Sequence, residues 1–286
     1  MQRVVRANGV DLCTETFGRP QDPAILLISG ASGSMDWWRP AFCERLAAGG
    51  RFVVRYDHRD TGQSAHSQAG APDYTGADLV ADVVGVLDAL ELGRAHLVGV
   101  SMGGGLAQAV ALDYPERVAS LTLIATSSGG AGPDNPDLPP PSEAIRERFA
   151  NPAPAPDWSN RDAVIDYLVE DSRAFAGALP FDEEEVRVVA AIVVDRTLDI
   201  EASMTNHWIV PSDGEPLRPR LGQVSAPTLV LHGTHDPLFP LGHGEALARE
   251  IPDASLLLLE GMGHEVPPVP VWDQVVEAIL NVSERR

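Results

Sequence analysis

The sequence predicts an α/β fold built on a doubly wound, mostly parallel sheet. Three observations predict it. Short continuous apolar runs recur along the chain, and most of them alternate with helical patterns. The runs lack the in–out alternation of a half-exposed strand, so both faces of the sheet must be covered by helices. The length, 286 residues, suits one such unit carrying an insertion better than two independent domains.

The chain opens on Val4 to Arg6 and Leu12 to Phe17, either side of Asn8-Gly9. That dipeptide favours a two-residue hairpin, which predicts an antiparallel pair. Buried-strand candidates follow at Ala24 to Ser29 (AILLIS), Phe52 to Asp57 (FVVRYD), Ala95 to Val100 (AHLVGV) and Leu121 to Ala125 (LTLIA). Thr228 to His232 (TLVLH) and Ser255 to Leu259 (SLLLL) complete an eight-stranded sheet. Asp78 to Leu92 is apolar at 79, 80, 83, 84, 86, 87 and 90, a helical face that stops at Gly93. Leu106 to Tyr114 ends before Pro115, and Val271 to Val282 closes the chain as a helix.

Between Ser127 and Pro219 the strand rhythm stops. A Gly/Pro-rich linker, SSGGAGPDNPDLPPPS, leads into helical patterns at Ser142 to Phe149, Arg161 to Phe175 and Phe181 to Leu198. The division expected is an α/β core of residues 1–127 and 220–286, with a helical cap, 128–219, inserted after the sixth strand. An insertion over the carboxyl edge of such a sheet roofs the crevice where ligands bind.

Composition excludes several functions. A net charge of −20 argues against nucleic acid and anionic membranes. All 21 basic residues are arginine, which rules out a lysine Schiff base and a phosphate-binding P-loop. Cys13 and Cys43 are too few for a disulfide framework and have no metal-ligand spacing. Asp182 to Glu185 reads as an acidic first helical turn rather than a metal site. The N-terminus has no apolar secretory segment, and no uncharged run reaches the ~18 residues of a membrane helix. A cytoplasmic protein without metal or organic cofactor is expected, with a homodimer left open.

The chemistry concentrates in HLVGVSMGGGLAQ, residues 96–108, where an apolar run ends at a serine crowded by glycines. Gly99-Val100-Ser101-Met102-Gly103 matches G-x-S-x-G, with a strand before and a helix after. A nucleophilic serine on that turn needs a strained backbone, and flanking glycines remove the Cβ atoms that would clash. The backbone N–H of Met102, at a helix N-terminus, suits stabilisation of the oxyanion formed on attack. A serine hydroxyl also needs a base held by a carboxylate.

Downstream of Ser101 the histidines are 207, 232, 235, 243 and 264. His264 sits in Glu260-Gly261-Met262-Gly263-His264, just past the last apolar run, and so at a strand's carboxyl end beside Ser101. His232 reads as packed, His235 and His243 as surface residues, and His207 as a candidate to line the pocket. The carboxylate should also end a strand. Asp236, in His232-Gly233-Thr234-His235-Asp236-Pro237, is the best candidate, with Glu260 and Glu265 as substitutes. The loop after the first parallel strand, Ser29-Gly30-Ala31-Ser32-Gly33-Ser34, should supply the second oxyanion donor, the Ala31 N–H.

Taken together, GVSMGG at 99–104, HGTHDP at 232–237 and GMGH at 261–264 resemble the α/β-hydrolase family over nearly the whole chain. RYDHRDTGQS at 55–64 resembles its Asp-x-Arg-Gly-x-Gly-x-Ser loop, with Asp60-Thr61 in place of the usual glycine. That wording is similar to the branch containing aclacinomycin methylesterases. Ser29-Gly30 stands where the family often has His-Gly. The resemblance implies a serine hydrolase working through an acyl-enzyme on a small to medium apolar ester, a polyketide-like methyl ester being one version. Lactone opening, carbon–carbon bond hydrolysis, perhydrolysis and thioester hydrolysis use the same residues. A non-catalytic small-molecule receptor is the reading from another class. Trp37, Trp38, Trp158, His207 and Trp208 are the candidate pocket residues.

Overall fold

Asn8 (φ 44°) and Gly9 (φ 76°) both take the left-handed conformation that a tight hairpin requires. They join β1 (Gln2–Ala7) to β2 (Val10–Phe17) in antiparallel register. The structure, a computed structural model, describes residues 2–129, 132, 135–211 and 213–284. β2 also pairs antiparallel with β4 (Phe52–Tyr56). Beyond it lie β3 (Ala24–Ile28), β5 (Ala95–Val100), β6 (Val118–Ile124), β7 (Thr228–Gly233) and β8 (Ser255–Leu259), all parallel to their neighbours. The order of the eight-stranded sheet is β1-β2-β4-β3-β5-β6-β7-β8. It reverses direction between β3 and β5, so the crevice of the sheet opens at their carboxyl ends.

The continuous apolar runs are explained by two cores. Leu26 and Ile28 belong to one core, with Val83 and Leu87 of α2 (Gly76–Ala89), Val110 of α3 (Met102–Asp113) and Leu247 of α8 (Gly242–Glu250). Ile25 and Leu27 point the other way, to Phe42 and Leu46 of α1 (Pro40–Ala48) and Val275 and Ile279 of α9 (Trp272–Val282). Each such burial stabilises by roughly 1.5–3 kcal/mol. Several details differ from expectation, among them a β6 that begins at Val118 and the short α7 (Ile200–Thr205). α3 begins at Met102 rather than Leu106, because the turn at Ser101 launches the helix directly and packing overrides the poor propensity of Gly103 to Gly105. Helices α1 and α8 were not apparent from the sequence; Pro40 and two glycines at their starts hide the periodicity.

Between β6 and β7 the described residues add no strand to the sheet. They form α4 (Glu143–Ala150), α5 (Arg161–Phe175), α6 (Glu183–Arg196) and α7 (Ile200–Thr205). Ser142, Asn160, Asp182 and Asp199 each cap one of these helices by accepting a first-turn N–H. The acidic run after Phe181 is therefore a helix start, with Asp182 as its cap. α5 and α6 share an apolar core of their own, including Val164, Leu168, Val189 and Val193. Of the Gly/Pro-rich linker, residues 130, 131, 133 and 134 lie outside the described residues. Among the described residues no helix is long and apolar enough to cross a membrane.

A buried ion cluster ties α6 to the sheet. Arg196 donates to Asp57, just past β4, at 2.6 and 2.7 Å, and to Asp36 at 2.7–3.1 Å. Its side chain is 14% exposed, and those of Asp36 and Asp57 are 6% and 0%. The N–H groups of Met35 and Gln63 also donate to Asp57. Gly62 (φ 53°) passes so close that a Cβ there would strike Asp57 and Arg196. Arg196→Met strands two buried carboxylates and is expected to cost about 3–5 kcal/mol in urea unfolding. Adding Asp57→Asn should recover part of that loss; a single variant as stable as the wild type would contradict this account.

Candidate active site

Ser101 lies between β5 and α3 with φ 53° and ψ −119°. A non-glycine residue at positive φ is strained. The surroundings fix it: its N–H donates to Ile124 O at 3.0 Å, and Thr126 Oγ1 donates to its carbonyl at 2.7 Å. A Cβ on Gly99 would run into the Gly103 backbone, and one on Gly103 into the carbonyls of Ile28 and Ser29. Glycine is therefore required on both sides of the serine.

His264 follows β8, and Asp236 follows β7. His264 Nε2 is 2.9 Å from Ser101 Oγ. Its Nδ1 is 2.9 Å from Asp236 Oδ2 and 3.2 Å from Oδ1. Leu238 and Phe239 N–H groups donate to Asp236 Oδ1 at 2.9 and 2.8 Å and fix its orientation towards the imidazole. An acceptor at Nδ1–H leaves the Nε2 lone pair for the serine hydroxyl. Phe239 meets the imidazole edge-on at 5.3 Å, with Phe175 at 5.9 Å. The His264 N–H also donates to Phe175 O at 2.8 Å, tying its loop to the end of α5.

The loop after β3 faces Ser101, and a Cβ on Gly30 would lie 3.3 Å from that of Ser101. Among the described residues, neither Ala31 N–H nor Met102 N–H has a protein acceptor. His58 Nε2 donates to Ser29 O at 3.0 Å, and Ser32 N–H donates to His207 Nδ1 at 2.9 Å. Ser101 and His264 open on a cavity of about 780 Å³. Its wall is largely apolar, with Trp37 and Leu238 from the core and Leu168, Phe175, Val189 and Met204 from the inserted helices.

The family profile of the alpha/beta hydrolase fold matches residues 23–269. The chain belongs to the α/β-hydrolase family. The rhodomycin D methylesterase DnrP of Streptomyces peucetius is 32% identical over 289 residues, covering 93% of this chain and 92% of its own. Among solved structures, the enol-lactonase of Burkholderia xenovorans matches with a TM-score of 0.74 at 24% identity, over 99% of this chain and 100% of its own. Bromoperoxidase from Bacillus anthracis matches with a TM-score of 0.75 at 22% identity, over 100% of both chains. Those two likenesses speak to the α/β-hydrolase fold alone.

Within this α/β hydrolase, Ser101, His264 and Asp236 are brought together as the sequence patterns expect, whereas the expected pocket residues are scattered. Trp37 and Trp208 line the cavity. Trp38 does not: it is wholly buried beneath the site and packs on Phe42 at 5.7 Å. Trp158 is also elsewhere, stacked edge-on against Tyr167 at 5.8 Å on α5. His207 lies behind the wall, bonded to the Ser32 and Arg59 backbones. His243, expected at the surface, is buried between Ser127 Oγ and Pro139 O. His232 is packed, donating to Phe239 O at 2.7 Å. Glu260 is exposed. Glu265 lines the cavity, accepts from Gly263 N–H, and has its pKa raised by burial. Phe175 and Phe239 carry no sequence signal that marks them as neighbours of the imidazole.

Burial lowers the pKa of His58, His96, His207, His232 and His243. His58, His96 and His207 are all pushed down to about 4, His207 further by nearby His58, and His96 by Arg51 and Arg94. The unfolded chain takes up these protons near pH 6.5, the folded protein near 4. Their stabilisation is therefore complete above about pH 6.5 and falls as pH drops towards 4, by about 1.4 kcal/mol per unit for each histidine. Raised carboxyls at Asp57 and Glu265 act in the opposite sense. His96→Gln, on β5 and away from the site, isolates one share. Its urea midpoint should fall less steeply between pH 6.5 and 4.5 than that of the wild type; an equal slope would be the contrary result.

Proposed function

We propose that this chain is a carboxylic-ester hydrolase working through an acyl-enzyme on Ser101. The observation that carries the reading is the continuous hydrogen-bonded line from Asp236 through His264 to Ser101 Oγ, ending at the floor of the cavity. Ser101 Oγ attacks the ester carbonyl while His264 Nε2 takes its proton, and Asp236 orients and stabilises the imidazolium. The N–H groups of Ala31 and Met102 serve the tetrahedral oxyanion. His264 returns the proton to the departing alkoxide, releasing the alcohol. It then takes a proton from water, which attacks the acyl-enzyme, and returns that proton to Ser101 as the acid leaves.

Residues 128–219 act as a cap, and their side chains set the acyl specificity. The cavity volume suits a ligand of drug size, and its apolar wall favours an apolar acyl group. A methyl ester of a polyketide-like compound is the specific substrate class supported by the 32% identity to a rhodomycin D methylesterase.

The test is hydrolysis of p-nitrophenyl esters from acetate to octanoate, beside methyl esters of polycyclic acids. Ser101→Ala should lose at least about 10⁴-fold in kcat, and Asp236→Asn about 10⁴-fold, with folding intact. Failure of the folded wild type on every ester, or wild-type rates in Ser101→Ala, would remove the reading.

A further inference from the structure

We propose that His207 is a positioning residue for the oxyanion site, setting the Ser29–Ser32 loop, and with it the Ala31 N–H, from the inserted helices. The proposal rests on the ester-hydrolase reading above. Ala31 lies within a loop held by two imidazoles of opposite polarity. His58 Nε2 donates to Ser29 O at 3.0 Å, and Ser32 N–H donates to His207 Nδ1 at 2.9 Å. Ser32 has φ 61°, a conformation a serine keeps only when its surroundings impose it. All the polar groups of Ser32 are engaged by one short stretch of the insertion. Its N–H meets His207, its hydroxyl accepts from Trp208 Nε1 at 3.1 Å, and its carbonyl accepts from Ser203 Oγ at 3.4 Å.

The tautomer of His207 is fixed from its other side. Nε2 donates to Arg59 O at 2.9 Å, so Nδ1 carries the lone pair that Ser32 N–H needs. An imidazolium has no such lone pair and would lose the bond. The groups facing the ring are His58 at 5.8 Å and Tyr74 at 6.4 Å between ring centroids, with Asp60 and Arg59 beside them. His207 does not reach the cavity, so it acts through Ser32 rather than on substrate. Oxyanion donors work only when aimed at the developing charge, and a small misplacement is costly.

The experiment compares wild type, His207→Leu and His207→Gln on p-nitrophenyl acetate, with thermal unfolding of each. The leucine fills the space without an acceptor. The glutamine offers an amide oxygen to Ser32 N–H and an amide N–H to Arg59 O. His207→Leu should lose about 10- to 100-fold in kcat with KM held within about threefold, and His207→Gln should regain most of the loss. A folded His207→Leu with wild-type kcat, or a loss that glutamine does not relieve, overturns the proposal. Should His207→Leu not fold, ¹⁵N NMR of wild-type histidines at pH 7 decides. A neutral His207 protonated at Nε2 is expected, and an Nδ1–H tautomer or an imidazolium overturns it. Wild type that cleaves no ester would sink the ester-hydrolase reading, while the tautomer still tests the loop contact by itself.

Discussion

The site depends on one backbone constraint, the turn at Ser101 from β5 into α3. Its positive φ is costly for a serine, on the order of 1–3 kcal/mol, and it persists because neighbouring groups leave no alternative. The same turn requires α3 to begin against the backbone of Ile28 and Ser29, where only Gly103 fits. That close approach at the switch between β3 and β5 brings the loop containing Ala31 against the serine. Ser101 and the loop containing Ala31 thus meet through main-chain packing, before any side chain of the pocket contributes.

The inserted helices are attached differently. α5 and α6 bury their apolar residues mainly against each other, and the join to the sheet is largely polar. Arg196 reaches Asp36 and Asp57, Asn206 donates to Asp60 at 2.9 Å, and Ser203, His207 and Trp208 hold Ser32. Arginine suits this task in a way lysine does not, because its fork satisfies two carboxylates at once without a stranded donor. Such buried polar joins are directional. They fix where the insertion sits, whereas apolar packing alone would permit sliding.

What the sequence revealed follows from the same distinction. Ser101, Asp236 and His264 each end a strand in a local pattern, and strand ends are legible because apolar runs stop abruptly. The sheet was legible for the same reason. The pocket wall was not. Trp37 and Trp38 are adjacent in the chain, yet one lines the cavity and the other is core, since a single-turn helix at Met35–Trp37 points neighbours in different directions. His207 and Trp208 differ likewise, one behind the wall and one on it. Asp60 is instructive too: it takes φ 67° where the resemblance has glycine, held by Tyr74 OH at 2.6 Å, Ser67 N–H at 2.6 Å and Asn206. No local pattern announces Asn206, 146 residues along the chain.

The polar joins bear on how reaction and specificity are connected. The insertion reaches the reacting groups from two sides. On one side, Ser203, His207 and Trp208 grip the residue next to Ala31. On the other, Phe175 O accepts from His264 N–H, and Ala178 and Leu179 N–H groups donate to Gly261 O. The helices that shape the cavity therefore also hold the loops that carry His264 and Ala31. A change in α5 or α6 that enlarges the cavity without moving these contacts alters the wall alone. One that shifts the end of α5 or the Asn206–Trp208 turn moves the chemistry as well. Leu168 and Val189 line the cavity and belong to the core that α5 and α6 share, so a substitution there reshapes the wall without touching the contacts that hold His264 and Ser32.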